Sequence, residues 1–179
     1  MLTVVTGGAR SGKSRFAQSL CPQSGPAAFV ATARVLDSEM ADRVDRHRKE
    51  RPADWTTVEE PVRIAGATAR MRGRVSTVIV DCLTLWTTNL LMEGTGAGID
   101  DLRRVAFDEL DALMVLRADL DIVVVTNEVG SGIVADTAPV RKFSDLHGWI
   151  NQHVAHHADR VFLMVCGLPV RIKPSVAHD

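Results

Sequence analysis

Residues Gly7 to Ser14 read GGARSGKS, with two leading glycines, a third before the lysine, and a lysine–serine pair at the close. Gly7, Gly8, Ala9, Arg10, Ser11 and Gly12 bring backbone N–H groups on a chain that its glycines allow to curl inward. Lys13 adds an ammonium and Ser14 a hydroxyl. The spacing G-x-x-x-x-G-K-[ST] fits a loop around the phosphates of a nucleoside triphosphate, with the lysine reaching the β- and γ-phosphates and the serine hydroxyl offered to Mg²⁺. Such a loop needs a strand before it and a helix after it, because the helix N-terminus adds partial positive charge to the same anion. Leu2 to Val5 supplies an apolar run, and Phe16, Ala17 and Leu20 suit the helix.

Asp81 closes the run VSTVIVD and is the best candidate for the distal metal partner, held to the ion through water and nucleotide. A helix N-cap is the alternative role for it. A third kind of chemistry lies in RVDRHRKERP, Arg43 to Pro52, which contains His47 among Arg46, Arg48, Lys49, Glu50 and Arg51. A neutral imidazole is a competent nucleophile toward an α-phosphorus, and the surrounding cations would hold phosphates and lower its pKa. Met40, Val44, His47 and Arg51 share one face at helical spacing. On residues alone, the commoner reading of His47 is a solvated or core-edge histidine, and of the basic run an ordinary exposed face.

The elements that must position these groups follow from short apolar runs at Leu2–Thr6, Ala27–Ala31, Val75–Val80, Ile122–Thr126 and Val161–Val165. Most are β-branched at successive positions without alternation, as strands covered on both faces require. Helices are expected over 13–20, 38–50, 61–71, 83–92, 101–117 and 139–157, so β and α alternate. The prediction is one α/β domain over 1–179, a mostly parallel sheet covered by helices on both faces. Glu93 to Asp100, with three glycines, is expected to be a loop. Val161–Val165 and Val170–Ile172 are expected to form a C-terminal hairpin, and 174–179 a disordered tail.

Thr32 and Ala33 stand at the end of the second strand, where ligand crevices lie in such sheets. Capping of a turn is the competing role for Thr32. Asn127 and Glu128 leave another strand at its carboxyl end, followed by Gly130 and Gly132; an N-cap is their other reading. TNEV is not the N-K-x-D pattern that reads guanine, so base choice is not legible there. Trp86 and Trp149 read as core or subunit contacts, and His153, His156 and His157 as surface groups near a helix end.

Twenty-one Lys and Arg against 22 Asp and Glu leave a net charge of -1, which gives no global field for nucleic acid or anionic membrane. Cys21, Cys82 and Cys166 are widely spaced, odd in number and without CxxC pairing, as suits a reduced cytoplasm. No basic leader with an apolar stretch opens the chain and no long apolar run follows, so an unprocessed cytoplasmic protein without membrane insertion is expected.

Three further segments, ATARVLDSEMADRVDRHRKERPADW (Ala31–Trp55), DCLTLWTTNLL (Asp81–Leu91) and TNEVGSGIV (Thr126–Val134), accompany GGARSGKS in order. Together they resemble the bifunctional adenosylcobinamide kinase and adenosylcobinamide-phosphate guanylyltransferase family of cobalamin biosynthesis, from Val4 to Lys173. The resemblance implies a RecA-like P-loop NTPase fold and two reactions. The first phosphorylates the aminopropanol hydroxyl of adenosylcobinamide with ATP or GTP. The second transfers GMP from GTP to that phosphate through a guanylylated histidine, releasing pyrophosphate and leaving adenosylcobinamide-GDP.

The histidine carried over is His47; many relatives have two consecutive histidines, and here Arg46 takes the first place. The implied nucleotide contacts are the eight P-loop residues, Thr32 and Ala33 in ATA, Arg48, Lys49, Glu50 and Arg51, one of Glu59 and Glu60 with Glu59 favoured, and Asp81. Mg²⁺ falls to Ser14 and Asp81. The resemblance also implies a homo-oligomer, commonly a trimer. Ala135-Asp136 in place of Pro-Glu and Phe16 in place of a polar residue depart from the family pattern without removing a reacting group. Two other readings stay open: a single-activity small-molecule kinase of the same fold, and a RecA-like regulatory ATPase.

Overall fold

β-Branched and alanine-rich runs dominate the strands, and they pair as the doubly covered pattern requires. The computed structural model describes residues 1–22, 25–34, 51–132 and 135–174. The expected helix over 38–50 and residues 175–179 of the expected tail lie outside them.

Among the described residues the strands are β1 (Leu2–Gly7), β2 (Ala27–Ala31), β3 (Thr56–Glu59), β4 (Thr77–Asp81), β5 (Asp121–Val125), β6 (Arg160–Val165) and β7 (Leu168–Lys173). They form one sheet in the order β3-β2-β4-β5-β1-β6-β7. All neighbours are parallel except β6 and β7, which are antiparallel. The helices among the described residues are α1 (Lys13–Ser19), α2 (Ile64–Ala69), α3 (Leu83–Glu93), α4 (Ile99–Val115) with a 3₁₀ turn at Leu116–Ala118, and α5 (Ala138–His157).

Successive strand residues enter opposite sides of the sheet, so the core divides in two. Val4, Val30, Val80 and Val124 pack with Leu83, Trp86, Leu110 and Ile150, under α3, α4 and α5. Val5, Phe29, Ile79 and Val125 pack with Ala17 and Cys21 on the face that carries α1. On α4, Leu102, Ala106, Leu110 and Leu113 make the buried stripe at three- and four-residue steps; on α5, Leu146, Ile150 and Val154 do. Each such Leu or Ile contributes about 1.5–3 kcal/mol by leaving water. Trp86 is fully buried, and its indole N–H donates to Val62 O at 2.8 Å, which satisfies the one polar atom that it buries.

Strand ends shift by a residue or two from the sequence expectation, within the usual ambiguity of such boundaries. Two elements differ more. The helix expected over 61–71 is confined to Ile64–Ala69; it starts late because Glu60 accepts the backbone N–H groups of Val62 and Arg63 (3.1 and 2.8 Å) and holds that stretch as a turn before the helix. The loop expected between the last strands shrinks to Cys166 and Gly167, with φ 52° and 85°, so Leu168 and Pro169 belong to β7. Two successive positive φ values make the tight turn that matches strand twist, and Pro169 is tolerated because β7 is an edge strand. No helix among the described residues is long and apolar enough to cross a membrane.

Candidate functional site

β1 delivers the chain to Gly7 at the carboxyl edge of the sheet, and α1 begins at Lys13. Between them the backbone visits the left-handed region at Gly7 (φ 144°), Arg10 (φ 55°) and Gly12 (φ 90°). Gly7 has a second constraint, since a Cβ there would lie 2.6 Å from Met164 O on the neighbouring β6. Gly8, Ala9 and Arg10 are exposed, whereas Lys13 is buried and donates from Nζ to Gly8 O at 2.5 Å.

Ser14 and Asp81 meet. Ser14 Oγ donates to Asp81 Oδ2 at 2.9 Å, joining the start of α1 to the end of β4, two strands away in the sheet. Cys82, not Asp81, occupies the N-cap position of α3, so the capping role does not explain the aspartate. A hydroxyl and a carboxylate are hard oxygen donors of the kind Mg²⁺ takes. Ser11 Oγ and Thr6 Oγ1 are buried without a hydrogen-bond partner among the described residues, beside the same loop. Buried hydroxyls left unmatched are costly and point to a bound group that completes them.

The other expected contacts separate into those placed at the crevice and those engaged in holding it. Thr32 is fully buried; its hydroxyl accepts the Cys82 N–H and donates to Cys82 O, both at 2.8 Å, so the side chain braces the turn after Asp81. Ala33 follows at the same edge, half-buried. Glu60 caps its own turn, while Glu59, the last residue of β3, is exposed. Arg51 lays its guanidinium over the Phe29 ring, 3.5 Å from the centroid, and donates to Thr57 Oγ1 at 3.0 Å. His47, Arg48, Lys49 and Glu50, like Arg46, lie outside the described residues.

DCLTLWTTNLL ends β4 at Asp81 and supplies most of α3, and its polar side chains tie together the loops at the carboxyl edge. Asn89 Nδ2 donates to Thr32 O and Pro61 O (2.7 and 2.9 Å), joining the exits of β2 and β3. Thr84 Oγ1 accepts Asn127 N and Nδ2 (3.1 and 2.8 Å), joining the exit of β5. Asn127 and Glu128 do not cap a helix, since α5 begins after Thr137. Glu128 N instead donates to Gly7 O at 3.2 Å, at the entry to the phosphate loop.

Sequence reasoning missed His147. It is fully buried on α5, with Nδ1 3.0 Å from Thr87 Oγ1 and Nε2 3.0 Å from Asn127 O. Burial pushes its pKa down, opposed by the Asn127 hydrogen bond and the Glu128 charge. The available signal was its place beside Leu146 and three residues before Ile150, on the apolar stripe of α5.

The family model for "Cobinamide kinase / cobinamide phosphate guanyltransferase" matches residues 3–172. The chain is 42% identical over 177 residues to the bifunctional adenosylcobalamin biosynthesis protein CobP of Pseudomonas aeruginosa, covering 97% of this chain and 98% of the relative. It is 38% identical over 181 residues to the bifunctional adenosylcobalamin biosynthesis protein CobU of Escherichia coli, covering 97% and 100%. Among solved structures, the RadB recombinase matches with a TM-score of 0.50 at 15% identity, covering 90% of this chain and 73% of that one, a likeness of RecA-like fold alone. With the phosphate loop, its aspartate and this nearly full-length match in agreement, the chain belongs to the cobinamide kinase / cobinamide phosphate guanyltransferase family.

Proposed function

We propose that this chain carries out both reactions of its family, phosphorylating adenosylcobinamide and then transferring GMP to the phosphate so formed. The observation that carries this reading is the Ser14–Asp81 contact, a hydroxyl and a carboxylate 2.9 Å apart at the foot of a phosphate loop. When bound between the nucleotide and these two residues, Mg²⁺ would neutralise charge on the phosphate oxygens.

In the kinase step the aminopropanol hydroxyl oxygen attacks the γ-phosphorus of ATP or GTP, the bond from that phosphorus to the β–γ bridging oxygen breaks, the nucleoside diphosphate leaves with the electron pair, and the hydroxyl proton passes to solvent. Lys13, released from Gly8 O, follows the β- and γ-oxygens, and the backbone N–H groups of Gly7 to Ser14 hold the phosphates. In the second step His47 attacks the α-phosphorus of GTP and pyrophosphate leaves. A phosphate oxygen of adenosylcobinamide phosphate then displaces the imidazole, giving adenosylcobinamide-GDP and returning the histidine. Arg48, Lys49 and Arg51 suit the triphosphate by charge, Glu59 is exposed at the end of β3 for the nucleoside, and Ala33 and Glu50 complete the contacts carried over from the resemblance.

The same resemblance supports a homo-oligomer, a trimer by the family's habit. Leu168, Val170 and Ile172 on the edge strand β7 are 69%, 49% and 50% exposed, an apolar surface that a subunit contact would cover.

Incubation with α-³²P-GTP tests the reading. A label held by an acid-labile, base-stable bond and lost in His47→Ala is expected; an unlabelled wild type, or a labelled His47→Ala, refutes the histidine route. Pyrophosphate release from GTP in the presence of adenosylcobinamide phosphate separates the bifunctional enzyme from a kinase alone.

A further inference from the structure

His147 lies on the face of α5 turned to the sheet, where a hydrophobic residue would ordinarily stand, yet each ring nitrogen has a partner. Nε2 is 3.0 Å from Asn127 O, a group that only accepts, so Nε2 carries a proton. Nδ1 then accepts from Thr87 Oγ1 at 3.0 Å, whose proton is shared with Leu83 O at 2.7 Å. This is the neutral ring, consistent with its burial.

The partners are not scattered. Asn127 receives His147 and Asn151 Nδ2 (both 3.0 Å) on its carbonyl, and gives its N–H and Nδ2 to Thr84 Oγ1. The next amide, Glu128 N, reaches Gly7 O. A hydrogen-bonded line therefore runs from α3 through the imidazole to the residue that opens the phosphate loop. A histidine retained for packing alone would not need its acceptor at Asn127, one residue before the amide that reaches Gly7.

We propose that His147 is a positioning residue for phosphoryl transfer, its Nε2–H fixing the Asn127 carbonyl and thereby the Glu128–Gly130 turn against Gly7. The proposal deepens the kinase half of the function proposed above and rests on it for its substrate. The loop it fixes can also be observed without any reaction.

Two variants separate positioning from packing. Gln can place an amide donor where Nε2 stands, whereas Asn reaches only as far as Nδ1. In His147→Asn, kcat for phosphorylation of adenosylcobinamide should fall about 10²-fold while the nucleotide KM stays within about threefold, as for a misplaced group that leaves binding intact. His147→Gln should stay within about fivefold of wild type. In parallel, amide hydrogen exchange at Glu128 should be fast in the Asn variant and protected in the Gln variant and wild type. Any other ordering of the two variants overturns the proposal. If His147→Asn does not fold, Thr84→Val, which removes the second tether of Asn127, takes its place: an unchanged kcat and a protected Glu128 amide overturn it. A wild type that phosphorylates no cobinamide would refute the proposed function, while the exchange pattern would still decide the role of His147.

Discussion

Ser14 Oγ and Asp81 Oδ2 stand 2.9 Å apart although 67 residues separate them in the chain. The contact exists because β1 and β4 flank β5 and end at the same carboxyl edge. Edges of this kind gather ligand groups from distant parts of the sequence. Replacing Asp81 with Asn keeps the shape and one oxygen but removes the charge. In Asp81→Asn, kcat for phosphoryl transfer should fall about 10²–10³-fold, the order found when one preorganised electrostatic partner is lost. The melting temperature without nucleotide should change little. With Mg²⁺ and GTP at about 100 times Kd the wild type should gain about 2.7 kcal/mol, and the variant less, measured by thermal shift.

Gly7 is constrained twice, by φ 144° and by Met164 O at 2.6 Å from its missing Cβ. The contact is to backbone in the adjacent strand, so no side-chain rotation relieves it. Gly7→Ala should lose at least about 1–3 kcal/mol of stability, the cost of a residue held in a sparsely populated backbone region. Denaturant unfolding would show a lower midpoint at unchanged slope. Gly8→Ala, where a Cβ would meet nothing within 4 Å, is the control and should unfold near the wild-type midpoint.

Much of this site was legible because its signals are local. The glycine and lysine spacing of Gly7–Ser14 needs only its own strand and helix, and Asp81 follows an unbroken β-branched run. Thr32 and Glu60 were harder, because a hydroxyl or carboxylate at a strand end can serve a ligand or the backbone equally. The structure gives both to the backbone, at Cys82 and at Val62–Arg63. His147 was not read at all: its partners Thr87 and Asn127 lie 60 and 20 residues away, and no periodicity in α5 identifies them. The spacing between the last two apolar runs suits a loop over Cys166–Pro169, and the structure instead gives Leu168 and Pro169 to β7. An edge strand leaves one side of its ladder unpaired, and there proline is admitted.

The buried imidazole gives stability a pH dependence of defined sign. Burial lowers the folded-state pKa of His147 below its ordinary value of 6.5, against the opposing hydrogen bond to Asn127 and the charge of Glu128. Below about pH 6.5 the unfolded chain therefore binds the proton more readily than the folded one, and stability rises with pH in that range. The contribution is fully present above the unfolded pKa and is lost as pH falls from there toward the folded value. Melting temperatures of the wild type should decline between about pH 7 and 5 more steeply than those of His147→Gln, which cannot titrate. Equal slopes for the two proteins would show that other groups govern the acid limb.

The three thiols differ in exposure and should differ in rate. Burial pushes the pKa of both Cys21 and Cys82 up to about 11, with the charges of Asp121 and Asp81 respectively adding to the rise. Cys166 is exposed at the turn between β6 and β7. Because the thiolate is the reacting species, a chromogenic disulfide at pH 8 should modify one thiol per chain quickly and two only on unfolding. Cys166→Ser should abolish the fast phase. Gly167, its neighbour, lies beside the phosphate loop, with its Cα 3.6 Å from where a Cβ on Gly12 would fall. A nucleotide that orders the loop should therefore slow the fast phase, and an unchanged rate at saturating GTP would show that this turn does not follow the occupancy of the loop.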